Sequence, residues 1–238
     1  MGGVVRPAVR NARYGENTYG IGCFLLINTG TEAVQSRRRL VTPSSGGPRG
    51  EVNYALEGAV FVASAAIQWL RDEMKLIHHR FGIFRLQSER HQRRVCGESF
   101  YRFQRLPNWN PYARGAIFGI TRGVNTNHII RATLVSIVFQ TRDLNRIDSG
   151  GLRRTAESAM GGDGGLVANN FLMQFQSDIL GTHVELPETR AVTVLGAAYL
   201  GGSGGRLWSD LEAVRSKWLS NKNSPVLKII ATKARRKQ

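Results

Sequence analysis

Apolar positions in this chain fall into short runs and helical stripes separated by glycine-rich and polar stretches. Residues 23–28, Cys-Phe-Leu-Leu-Ile-Asn, form a continuous mainly apolar run closed by Thr29-Gly30. Such a run, bounded by turn residues, predicts a buried strand. Weaker strand signals stand at residues 40–42 and 52–56, around a Ser-Ser-Gly-Gly-Pro loop. From 59 to 77, Phe61, Ala65, Trp69 and then Glu73 or Leu76 recur at helical spacing, which predicts a long helix. Asn125 or Thr126 can cap a second helix running to about Leu144, with Ile129, Ile130, Leu134, Ile137 and Thr141 as its inward stripe. Residues 145–160 read as a polar loop. A third helix is predicted from near Val167, with Phe171, Leu172, Phe175 and Ile179 on one face. A short strand at 183–186 and a small-residue helix at 192–200 follow. In that helix Gly196, Ala197 and Ala198 would allow close packing. Residues 78–108 show no clean period.

Charge divides the chain in a way the apolar pattern does not. The 238 residues carry a formal net charge of +16, which by itself points to a nucleic-acid partner. The excess sits in three segments: +3 in 1–15, +5 in 76–108 and +7 in 200–238. Residues 16–75 have six bases and six acids, and 109–199 have eight and seven. The periodic part is therefore nearly neutral. Aromatics interleave with the excess charge only at Phe100-Tyr101-Arg102-Phe103. Three units are expected: an N-terminal segment 1–15, a domain 16–200 with divergent stretches at 78–108 and 148–160, and a basic, flexible tail 201–238.

A chain of this length holds a sizeable core. Cys23 and Cys96 are too few for a disulfide framework, as expected in a reducing cytoplasm. No apolar run approaches the ~20 residues of a membrane helix, and the N-terminus lacks an apolar signal core. Met1-Gly2 begins like a myristoylation signal, but Arg6 stands at its Ser/Thr position.

The densest candidate chemistry lies in Met160-Gly-Gly-Asp-Gly-Gly-Leu-Val-Ala-Asn-Asn-Phe-Leu-Met173. An acid among glycines reads as a loop, and a helix starts after it. Glycine lets backbone approach a ligand closely, and a helix start presents N–H groups to an anion. Gly164 and Gly165 thus form a candidate phosphate cradle, and Asn169, in the first helical turn, can reach a ribose or base. The competing reading is a tight turn into a core helix. No catalytic constellation stands out: His78, His79 and His91 lack metal-ligand spacing, and no Ser/His/Asp or paired-carboxylate arrangement emerges.

Five blocks in order resemble the second domain of the FGGY carbohydrate kinases, in particular members that phosphorylate glycerol. They are Asn17-Thr-Tyr-Gly-Ile-Gly-Cys23 with its apolar run, Gly50-Glu-Val-Asn-Tyr-Ala-Leu-Glu-Gly58 through Asp72, Trp109-Asn-Pro-Tyr-Ala-Arg-Gly-Ala-Ile-Phe-Gly119 through Thr133, the glycine loop with its helix, and Thr193-Val-Leu-Gly-Ala-Ala-Tyr-Leu200. The resemblance implies an α/β, ribonuclease-H-like (actin-like ATPase) fold, a mixed sheet with flanking helices. It also implies use of ATP with Mg2+, and phosphoryl transfer to glycerol giving glycerol 3-phosphate. By resemblance Gly165, Asn169 and Gln68 keep the family's residue types at adenosine and phosphate contacts. Ile21 departs from the family's Thr in Gly-Thr-Gly, and Ser64 from its Gly. Singly, Gln68 reads equally as a surface helix residue, Asn169 as a helix-start polar residue, and Gly20 and Gly22 as a strand entry.

The family's hydroxyl-activating acid precedes the Asn-Thr-Tyr-Gly block, and residues 1–10 contain no acid. No catalytic or metal-binding residue is therefore assigned, and a C-terminal portion inactive alone is expected. Residues 78–108 leave the family pattern, gain Arg and Ser and rejoin it, as an out-of-frame stretch would. The expected ligands are ATP or ADP, with glycerol only when the first domain is present. The resemblance leaves homo-oligomerisation open and includes no membrane. The alternatives are a basic module binding nucleic acid and a remnant that associates with an intact kinase.

Overall fold

The computed structural model describes residues 14–36, 40–46, 52–77, 115–147, 158–186, 194, 196–198, 201–202 and 226–227. Strand β1 (Tyr14–Tyr19) turns through Gly20-Ile21-Gly22 into β2 (Cys23–Gly30), its antiparallel neighbour. β3 (Ser44–Gly46) lies at the sheet edge beside β4 (Val52–Val60), which pairs antiparallel with β2. Helix α1 (Ser64–Asp72) follows, and then α2 (Thr126–Ile147). β5 (Ser158–Asp163) pairs parallel on the far side of β1. A 3-10 turn (Gly165–Ala168) leads into α3 (Asn170–Leu180). β6 (Val184–Glu185) runs parallel to β5, and β7 (Val226–Leu227) closes antiparallel to β6. The sheet order is β3-β4-β2-β1-β5-β6-β7. An antiparallel meander extended past β1 by parallel strands, each reached through a helix, matches the expected mixed-sheet architecture.

β1 is central although its sequence, Tyr-Gly-Glu-Asn-Thr-Tyr, lacks an apolar alternation. Two of its buried polar side chains are tied to the helices. Asn17 Nδ2 donates to Thr141 Oγ1 of α2 at 3.4 Å, and the Tyr19 hydroxyl donates to Gln176 Oε1 of α3 at 3.0 Å. The core runs from Leu25, Leu56 and Val60 on the sheet to Ile130, Leu134, Ile137 and Leu144 of α2, and to Leu172 and Met173 of α3. Gly58 admits α2 to the sheet, since a Cβ there would stand 3.1 Å from the Leu144 side chain.

The second helix agrees with its predicted stripe, apart from Ile129, which is partly buried. Asn125 caps it, its Oδ1 accepting from the His128 N–H at 3.2 Å. The helix expected over 59–77 is shorter. Ala59 and Val60 belong to β4, and α1 buries Ala66, Ile67 and Leu70 while Phe61 and Trp69 are exposed. The apolar run at its start is the end of a buried strand, and run length alone does not separate the two. The glycine stretch is also corrected: Gly161, Gly162 and Asp163 lie in β5, so the loop begins at Gly164. α3 buries Leu172, Met173, Gln176 and Ser177, one step round from the predicted face. Val226 and Leu227, within the tail expected to be flexible, join the sheet. The divergent stretch 78–108 and the segment 1–13 lie outside the described residues.

Candidate functional site

Strand directions bring the expected site residues to one edge of the sheet. Tyr19 pairs with Cys23, Thr18 with Asp163, and Cys23 with Val60. The carboxyl ends of β1, β4 and β5 therefore meet, the place where open α/β sheets bind ligands.

Three backbone segments close on one another there. Gly164 has φ 94°, and a Cβ on it would lie 2.1 Å from the Tyr19 carbonyl oxygen. Only glycine permits this approach of the 164–165 loop to the β1–β2 turn. A Cβ on Gly22 would meet the Val60 carbonyl oxygen at 2.4 Å, holding the turn against the end of β4. Gly165 is exposed, and a Cβ there would meet nothing within 4 Å.

The turn also reaches the start of α1. The Ile21 carbonyl accepts from the Ala63 N–H at 2.9 Å and the Ala65 N–H at 3.2 Å. The Gly20 carbonyl accepts from the Ser64 N–H at 3.3 Å and from the Ser64 hydroxyl. Ser64 thus spends its side chain on the turn. Ile21 is 71% exposed at the tip. Gln68 follows one helical turn after Ser64 and is also exposed.

Asn169 stands differently from the expectation. It is the N-cap of α3, one residue before the helix, and only 2% exposed. Its Oδ1 accepts from the Leu172 N–H at 3.0 Å, the usual role of an N-cap side chain. Its buried Nδ2 finds no hydrogen-bond partner among the described residues. A buried donor without an acceptor is costly and marks a place to look for a ligand. The structure therefore gathers Ile21, Ser64, Gly164 and Gly165 around Gly20, with Gln68 and Asn169 on the two helices leaving that edge.

Sequence reasoning missed the support beneath the turn. Tyr19 and Gln176 tie the end of β1 to α3, and burial pushes the Tyr19 hydroxyl well above its usual range, reinforced by neighbouring Cys23. Burial raises the Cys23 thiol likewise. The Gly20-x-Gly22 spacing was the available signal for the turn, whereas nothing local marks Gln176. Among the described residues no cluster of three metal-ligating side chains forms, and no helix is long and apolar enough to cross a membrane.

An actin-like kinase domain is what this sheet, with its candidate site at the strand ends, defines. Residues 15–204 match the C-terminal domain of the FGGY family of carbohydrate kinases, and the chain belongs to that family. Over 206 residues it is 57% identical to the glycerol kinase of Klebsiella pneumoniae subsp. pneumoniae and 56% identical to that of Enterobacter sp. (strain 638). Each match covers 85% of this chain and 40% of the relative. A solved structure, Plasmodium falciparum glycerol kinase with ADP, superimposes with a TM-score of 0.80 at 29% identity, covering 96% of this chain and 45% of that one. The chain thus spans about two-fifths of the length of the glycerol kinases it matches.

Proposed function

We propose that this chain is the adenosine-side part of a kinase that transfers a phosphoryl group from ATP to glycerol. The observation that carries the reading is the convergence of Gly164-Gly165, the Gly20–Gly22 turn and α1 at the strand ends, in a chain more than half identical to glycerol kinases over its matched length. Gly165 offers open backbone, and Asn169 a buried donor, to the adenosine end of the nucleotide. Gln68 stands on the exposed side of α1.

Phosphoryl transfer depends on positioning and charge stabilisation on both sides of the transferred group. Among the described residues no side chain is assigned to proton abstraction or to magnesium. Glycerol binding and hydroxyl activation fall to the part of the relatives beyond this match.

Two measurements test the reading. Calorimetry with adenosine should show binding that Asn169→Ala weakens at least tenfold, and unchanged affinity in that variant moves the site elsewhere. A coupled assay on purified chain should show no ATP- and glycerol-dependent turnover. Turnover above a heat-killed control, free of host kinase, would mean the chain holds a complete active site.

A further inference from the structure

Resting on the nucleotide-site reading, we propose that this chain recognises the adenine nucleoside and draws no affinity from its phosphates. The first argument is the fate of the N–H groups at the start of α1. A helix start serves an anion through unpaired N–H groups. Here the N–H groups of Ala63, Ser64 and Ala65 all donate to the carbonyls of Gly20 and Ile21, and the Ser64 hydroxyl adds a further bond to Gly20. The donors that the start of α1 would offer to a phosphate chain are turned onto the protein's own backbone.

The second argument is the turn's outward side chain. Ile21 stands 71% exposed at the tip, and an apolar side chain there gives a charged phosphate neither a donor nor a cation. The third is charge. Strong phosphate sites use Arg, Lys or a metal ion. The described segments that bound the site, residues 14–30, 61–70 and 158–186, contain no Lys or Arg, while they hold Glu16, Asp163, Asp178 and Glu185. At the end of α1, Arg71 is held by Asp72, with Nε to Oδ1 at 2.6 Å. The chain is strongly basic, yet these described segments around the strand ends supply none of that positive charge.

The adenosine end keeps what a nucleoside needs. Gly165 leaves open space above its backbone, and the Asn169 Nδ2 is buried without an acceptor, matched to a ring nitrogen or hydroxyl.

The test compares adenosine, ADP and ATP on the unaltered chain by calorimetry, with and without magnesium. Equal dissociation constants, within about threefold, are expected. ATP binding at least tenfold tighter than adenosine overturns the inference and leaves the nucleotide site standing. Absence of adenosine binding to folded chain removes that site, and this inference with it. A second arm uses Ile21→Thr with Ser64→Gly, checked for an unchanged melting profile. The ATP-to-adenosine affinity ratio should rise at least fivefold, and a ratio that stays at one overturns the assignment of the loss to these two side chains.

Discussion

Gly164 and Gly165 are neighbours with opposite tolerances. A methyl group on Gly164 would have to share space with the Tyr19 carbonyl oxygen, at a φ of 94° that a side chain disfavours. Gly164→Ala is expected to cost at least about 3 kcal/mol, from backbone strain plus displacement of the turn. Gly165→Ala meets open space and should stay within about 1 kcal/mol of the parent. Denaturant melts of both variants check the pair, and similar losses would contradict the packing described. Tyr19 and Cys23 set a second expectation. Both have folded pKa values raised above their ordinary values of 10.0 and 9.0. The unfolded chain therefore releases these protons first as pH rises. Their contribution is complete below pH about 9 and is lost progressively above it. The melting temperature should be level from neutrality to that point and then fall, with Cys23→Ala moving the onset upward. A profile level to pH ~11 would show that neither proton is retained by the fold.

α2 is where local pattern and tertiary demand agree. Leu134 and Ile137 are fully buried against the sheet, and Leu134→Ala should cost about 2–5 kcal/mol in chemical denaturation. Asn125→Ala, which removes the cap on His128, should cost about 1 kcal/mol. A Leu134 variant no less stable than the Asn125 variant would refute this ranking. The same agreement made β2 and α2 legible in the sequence. β1 and β5 were not legible, because Tyr-Gly-Glu-Asn-Thr-Tyr and Ser-Ala-Met-Gly-Gly-Asp carry no strand pattern of their own. Their conformation comes from neighbours: β2 and β5 flank β1, while β1 and β6 flank β5. The overlong first helix arose because the apolar end of β4 runs on toward α1. At the site, the family resemblance supplied the residue list. The geometry supplied what a list lacks: Ser64 binds Gly20, Asn169 is a cap, and Gly164 serves packing.

At the scale of the whole molecule, the described segments that gather the candidate site, residues 14–30, 61–70 and 158–186, hold no Lys or Arg, although the chain carries +16. Polyanion retention and adenosine binding should therefore separate. Heparin binding is expected to vanish by ~0.5 M salt, while adenosine affinity changes less than about threefold over the same range. Parallel loss of both would place the basic segments in the site. The central position of β1 also bears on time. The chain makes β1 and β2 together, but residues 20–157 separate β1 from its other partner, β5. At ~5–20 residues per second of synthesis, one flank of the strand carrying Asn17 and Tyr19 waits roughly 7 to 28 seconds for its neighbour. During that interval a polar, unpaired edge lies open to any extended segment that arrives first.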